Sequence, residues 1–208
     1  MTIPTPVATV YLVDDDALIR RTVGKLIEAA GYTCHTFESA RAYLEAPLEQ
    51  QENACLVLDI RMPEMSGLEL QKCIPGTDHD LPIVFMTAFG DIPTCVQTLK
   101  AGAINFIAKP FSSSDLLDAI REALQHARSQ FHQKKQQRSV RARARNLSRR
   151  ERDVLDCVVQ GMPNKQIAET LNISEHTVKV HRRRVMSKME ADSVAELVRL
   201  AAELNATP

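Results

Sequence analysis

Five short apolar runs punctuate the first 125 residues of this chain, and stretches of a different period separate them. The runs are Thr9 to Val13, Thr33 to Phe37, Cys55 to Leu58, Ile83 to Met86 and Ile104 to Ala108. Their length and apolar content are those of strands. Between them the apolar positions recur with helical period: Ala17 to Ala30 places Leu18, Val23, Leu26 and Ile27 on one side. Strands alternating with amphipathic helices predict a parallel sheet covered on both faces. Gly31, Gly67, Gly76, Gly90 and Gly102 fall between elements, where turns need them. Ser112 followed by Asp115 has the spacing of a capping box, opening a helix from Asp115 to about Ala127.

The pattern then changes. From roughly Gln125 to Asn146 the residues are mostly Gln, Arg, Lys and Ala, and the apolar face fades after Phe131, as in a helix running out into a linker. Beyond it every apolar period is helical. Ser148 with Glu151 predicts a capped helix to about Gln160, stopped by Gly161 and Pro163. A short helix over Asn164 to Leu171, a turn at Asn172-Ile173-Ser174 and a longer helix over Glu175 to Met189 follow, then a fourth over Ser193 to Leu204. The expected fold class is α/β plus all-α. A five-stranded parallel, doubly wound, flavodoxin-like domain occupies residues 1–125, a helical and basic linker 126–146, and a four-helix domain 147–208.

Charge separates the halves more sharply than the total suggests. The chain is formally neutral, yet residues 1–125 carry 9 basic against 17 acidic side chains and residues 126–208 carry 17 against 9. A basic second half points to a polyanionic partner. The five cysteines are scattered and show no metal-ligand spacing, which argues against zinc and disulfides and for a reducing compartment. No apolar stretch approaches 18 residues and no leader-like segment opens the chain, so a cytoplasmic protein with no membrane contact is expected.

The chemistry lies where the strands stop. Asp14 and Asp15 follow the first, Asp59 the third, Thr87 the fourth and Lys109 the fifth. In a flavodoxin-like sheet ordered 2-1-3-4-5 these groups meet at the carboxyl edge, where open α/β sheets bind ligands. Carboxylates so close repel unless a cation sits among them, and magnesium (or manganese) suits an all-oxygen site. Asp59 is then a carboxylate nucleophile able to form an acyl phosphate. Lys109 supplies a point charge for a phosphoryl oxygen, Thr87 a hydroxyl donor, and Ala88 room for the group. Asp16 reads as a helix cap rather than a ligand. A magnesium-dependent phosphatase with an aspartyl nucleophile is the rival from another class, disfavoured because the first half leaves no room for a cap domain.

In the second half, two short helices joined by a tight turn are a helix-turn-helix, whose second helix enters the major groove. Lys179, Arg183 and Ser187 form an outward stripe on it, flanked by Arg182 and Arg184, while Val178, Val185 and Met189 face inward. Val180 is placed either to touch a thymine methyl group or to sit in the core.

These residues carry two resemblances. LVDDD (12–16), LDIRMPEMSG (58–67), MTAFGD (86–91) and AINFIAKPF (103–111) resemble two-component response-regulator receiver domains over about residues 7–125. The resemblance implies phosphorylation of Asp59 by a sensor histidine kinase. It implies magnesium held by Asp15, Asp59 and the Arg61 carbonyl, with Asp14 acting through water. It further implies a Thr87–Phe106 switch pair and a cis Lys109-Pro110 bond. The segment 147–189 resembles the LuxR/NarL-type DNA-binding domain, and the combination is that of the FixJ/NarL class. By that resemblance Lys179, Val180 and Arg183 contact bases, and Lys165, Thr177, His181 and Arg182 contact the backbone of a double-stranded operator. It implies a homodimer on phosphorylation, through the fourth helix around Val194, Leu197, Val198 and Ala201. A transcriptional activator meeting RNA polymerase, at a catabolic operon, is the corresponding function; an enzyme is not.

Overall fold

The computed structural model describes residues 8–47, 53–74, 81–88 and 105–205. The chain divides into two compact units, one up to Phe131 and the other from His132.

The first unit holds five strands: β1 (Thr9–Val13), β2 (Thr33–Phe37), β3 (Ala54–Asp59), β4 (Ile83–Ala88) and β5 (Asn105–Lys109). All pair in parallel, in the order β2-β1-β3-β4-β5. The alternation of side chains along each strand sorts the apolar residues onto two faces. Val10 and Leu12 of β1 and Val84 and Met86 of β4 pack with Val23 and Ile27 of α1 (Ala17–Ala29). Tyr11, Val13 and Phe85 face the other way, against Tyr43 of α2 (Ala40–Glu45) and Leu70 of α3 (Gly67–Cys73). There Tyr11, Phe37 and Tyr43 form an aromatic group, with ring centroids 5.4 to 6.3 Å apart. The sheet is therefore doubly wound, with helices on both faces as expected.

The strand ends differ from the sequence expectation by one or two residues. β3 continues to Asp59 and β4 to Ala88, so Asp59 and Thr87 lie within the ladder rather than after it. Asp59 pairs with Met86, and Ala88 with Lys109. The expected turns at Gly76, Gly90 and Gly102 fall outside the described residues, as does the start of the fifth strand at Ile104.

The larger difference is α4. Its start is capped as expected, Ser112 Oγ accepting from the Asp115 amide at 3.1 Å and Asp115 from the Ser112 amide at 3.3 Å. It does not end near Ala127 but runs as one 33-residue helix, Ser113–Arg145. Residues 126–145 contain no Gly or Pro and are rich in Ala, Arg, Lys and Gln, all strong helix formers. Leu116, Ile120 and Leu124 pack under the sheet; further along, Val140 enters the core of the second unit.

That second unit adds four helices: α5 (Arg149–Val159), α6 (Asn164–Leu171), α7 (Glu175–Met189) and α8 (Val194–Asn205). The Ser148–Glu151 capping box forms as expected. Between α6 and α7, Asn172 takes the left-handed conformation (φ 52°), which Asn tolerates better than most residues, and Ser174 caps α7. Val154, Ile167, Val178, Val185, Met189 and Leu197 fill the core.

Candidate functional site

The parallel register brings the polar strand ends of β1, β3, β4 and β5 to one edge. Asp14 is fully buried, Asp59 is 6% exposed and Thr87 2% exposed. The Lys109 ammonium lies between the two carboxylates, 2.7 Å from Asp14 Oδ2 and 2.7 Å from Asp59 Oδ1. The other oxygens take backbone donors: Asp14 Oδ1 accepts from the Asp16 amide (2.9 Å) and Asp59 Oδ2 from the Arg61 amide (3.1 Å). Asp16 caps α1 through the Leu18 and Ile19 amides, as expected. Asp15 is exposed at the rim.

One ammonium does not balance three carboxylates. Burial raises the Asp59 pKa against the pull of Lys109, and the charges of Asp14 and Asp15 add to that rise. For Lys109, desolvation opposes ionisation, but its bonds to both carboxylates prevail and hold its pKa above the usual lysine value. Among the described residues no group of three or more His, Cys, Asp or Glu is gathered to hold a metal. The surplus negative charge and the oxygen-only donor set of Asp14, Asp15, Asp59 and the Arg61 carbonyl nevertheless fit a hard divalent cation.

Two features of this edge lay outside the sequence reading. A Cβ added to Gly67 would overlap the carbonyl oxygen of Asp59, and the Gly67 amide donates to the Ile60 carbonyl at 3.0 Å. The start of α3 thus abuts the backbone of Asp59, and only glycine allows it. Arg20 of α1 reaches back to donate from Nη1 to the main-chain oxygen of Asp14 at 2.7 Å. The Lys109-Pro110 bond is cis. Phe106, on β5, is 39% exposed. The side chain of Ala88 lies outside the described residues.

In the second unit α7 divides as its sequence suggests. Val178, Val185 and Met189 have no exposed surface. Lys179, Arg183 and Arg184 are exposed, and Val180 is 36% exposed, which favours the surface over the core reading. Lys165, in the first turn of α6, is exposed as well. The residues expected at the DNA backbone are less free. Arg182 donates to Asn164 Oδ1 at 2.9 Å, tying α7 to the start of α6. The Thr177 hydroxyl pairs with Ser174 Oγ at 2.8 Å. His181 is half-buried, and its Nδ1 has no hydrogen-bond partner. Beneath the helix, Lys188 donates to the 3%-exposed carboxylate of Glu151 at 2.7 Å, holding that carboxyl down at about 2. On α8, Leu197 and Ala201 belong to the core, leaving Val194 exposed and Val198 half-exposed.

Comparison with known proteins agrees with this division. Residues 10–121 match the response regulator receiver domain family, and residues 145–201 match the bacterial regulatory proteins of the luxR family. The chain is 44% identical over 197 residues to the response regulator protein TmoT of Ectopseudomonas mendocina, spanning 95% of this chain and 89% of TmoT. It is 41% identical over 193 residues to the transcriptional regulatory protein FixJ of Rhizobium meliloti (strain 1021), spanning 93% and 94%. Among solved structures, that of the response regulator StyR superposes with a TM-score of 0.82 at 43% identity, covering 95% of this chain and 99% of the other.

Proposed function

Because this chain belongs to the response regulators, a receiver domain followed by a LuxR-type DNA-binding domain, we propose that phosphorylation of Asp59 switches its hold on an operator. It is a transcriptional regulator rather than an enzyme. The observation that carries the switch is the Lys109 ammonium held between two buried carboxylates at the sheet edge.

A carboxylate oxygen of Asp59 attacks the phosphorus of a phosphohistidine on the sensor kinase. The P–N bond breaks as the P–O bond forms, and the imidazole keeps the electron pair and takes up a proton. Lys109, already bonded to Asp59, pairs with a phosphoryl oxygen as negative charge accumulates there. Thr87, one residue beyond Met86, the β4 partner of Asp59, donates its hydroxyl to the same group. Ala88, next in the sequence, is a small residue. Asp14, Asp15, Asp59 and the Arg61 carbonyl would hold a magnesium or manganese ion, which when bound would supply positive charge to the phosphoryl oxygens. Movement of Thr87 lets the half-exposed ring of Phe106 turn inward, changing the surface that β5 presents.

The output is binding of double-stranded DNA by α7. Exposed Lys179, Val180 and Arg183 read base edges, while Lys165, Thr177, His181 and Arg182 engage phosphates. Arg182 does so while bonded to Asn164, so it also orients α7. The phosphorylated form acts as a homodimer on two half-sites, with Val194 and Val198 available for the α8 contact, and recruits RNA polymerase in the cytoplasm. The regulated target is a catabolic operon. Shifting a resting population from 1:99 to 99:1 takes about 5.5 kcal/mol of differential stabilisation. A dianion bonded by an ammonium, a hydroxyl and a metal ion is of the right strength. Among the described residues no helix is long and apolar enough to cross a membrane.

The test is selection from a random DNA pool with and without magnesium and beryllofluoride, which mimics the aspartyl phosphate. One sequence with two half-sites, enriched only with the mimic, is the expected result. Equal enrichment in both conditions would remove phosphorylation as the control.

A further inference from the structure

Asp15 is exposed and makes no side-chain hydrogen bond among the described residues, yet a ligand for a metal ion must be held in place. What fixes it comes from the neighbouring helix. Arg20, in the second turn of α1, donates from Nη1 to the main-chain oxygen of Asp14 at 2.7 Å. That oxygen belongs to the peptide joining Asp14 to Asp15. A peptide unit is planar and rigid, so holding its oxygen also fixes the nitrogen and Cα of Asp15. The rest of Asp14 is tied down independently. Its amide donates to the Phe37 carbonyl at 3.2 Å, Oδ1 accepts from Asp16, and Oδ2 accepts from Lys109. The Asp14–Asp15 peptide is held in addition by Arg20. Among the described residues the guanidinium pairs with no carboxylate, so this carbonyl is its one directed contact.

We propose that Arg20 is a positioning residue for the cation site, orienting Asp15 through the Asp14 carbonyl. The inference rests on the metal reading above.

The sign of the effect separates this role from a purely electrostatic one. A guanidinium near a cation site repels the cation, so a charge-only Arg20 would weaken metal binding, and its removal would tighten it. A positioning Arg20 does the opposite. Residues that orient metal ligands from the second layer typically contribute about 10–100-fold to metal affinity, and R20M should weaken Mg2+ binding by about tenfold.

The experiment is calorimetric titration of the full chain with Mg2+ for wild type, R20M and R20K, with urea melts of each in metal-free buffer. The expected result is weaker binding by R20M and an intermediate value for R20K, which retains a cationic donor group. Phosphorylation of R20M by acetyl phosphate should be slow at low Mg2+ and return to near the wild-type rate at saturating Mg2+. A merely structural role would lower the melt midpoint and leave the Mg2+ affinity of the folded protein unchanged. Unchanged or tighter Mg2+ binding by R20M overturns the proposal. If R20M does not fold, wild-type affinity in R20K overturns it instead. Failure of the wild-type chain to bind Mg2+ would remove the metal reading itself, and this inference with it; loss of the effect in the variants alone removes only Arg20.

Discussion

The two charged regions of this molecule are built on opposite plans. At the sheet edge, Asp14 and Asp59 are buried and Lys109 is 21% exposed at its side chain, these three charges being committed to one another. On α7, Lys179 and Arg183 are exposed and have no partner among the described residues. A site that makes and breaks a covalent bond needs its groups fixed beforehand and shielded, so that each interaction is strong. A site that meets DNA needs its cations free, because their pairing with phosphates and the release of counterions drive association. Burial thus distinguishes the two tasks more clearly than charge does.

The strongest way to break the comparison is at Asp59. D59N should abolish incorporation of acid-labile phosphate while leaving the fold intact, as read by labelling with a phosphodonor and by circular dichroism. Labelling at the wild-type level would end its assignment as phosphoacceptor. Next is Lys109. K109M leaves two buried carboxylates facing each other, and removing one partner of a buried ion pair costs about 3 kcal/mol or more. Urea melts should show that loss near neutral pH, with part of it restored by Mg2+; an unchanged midpoint would mean the pair is solvated.

A third prediction sets the two units against each other in acid. The Glu151 carboxyl is held down at about 2, against 4.5 for an unperturbed glutamate, first by its bond to Lys188 and then by the Ser148 amide. Its contribution is complete above pH 4.5 and is lost as the pH falls towards 2. Asp59 has the opposite sign. Its raised pKa means that the folded unit holds the proton more tightly than the unfolded chain. Its contribution is therefore present below its ordinary value of 3.8 and lost as the pH rises through the raised one. E151Q should cost about 2 kcal/mol at pH 7, the strength of a hydrogen bond to a charged group, and flatten the acid dependence of the helical unit. Backbone amide signals of α5 and α7 followed in a pH titration would show it; an unaltered acid profile would refute the role of the carboxylate. The smallest effect belongs to Arg183. R183A should lose about 1–2 kcal/mol of specific affinity and relax the preference at one base position. Equal loss on random DNA would move Arg183 to the phosphates.

Much of this was legible in the sequence because parallel sheets tie polar strand ends to one place. Asp14, Asp59, Thr87 and Lys109 had only to be assigned to strand ends for their meeting to follow. The inward and outward faces of α7 followed in the same way from helical period. The continuity of α4 did not. Its buried face changes from Leu116, Ile120 and Leu124 to Val140, and the stretch between offers no apolar stripe to read, only high helix propensity. The bonds of Arg20 to Asp14, Arg182 to Asn164 and Lys188 to Glu151 were equally hidden. They depend on where long side chains reach once elements are packed, and no local pattern encodes that. Gly67 was read as a turn residue, while its actual constraint is the Asp59 carbonyl against its Cα.

The aromatic group on the α2 face of the sheet has an optical consequence. The chain contains no tryptophan, and its three tyrosines, Tyr11, Tyr32 and Tyr43, all belong to the receiver unit. Ultraviolet emission therefore comes from that unit alone, whereas far-ultraviolet ellipticity is dominated by the helices of both. Burial pushes the Tyr43 phenol well above its ordinary value. Its ionisation band should thus stay silent in alkali until the receiver unfolds. One unlabelled sample, observed at two wavelengths, separates the melting of the domain that receives the signal from that of the domain that delivers it.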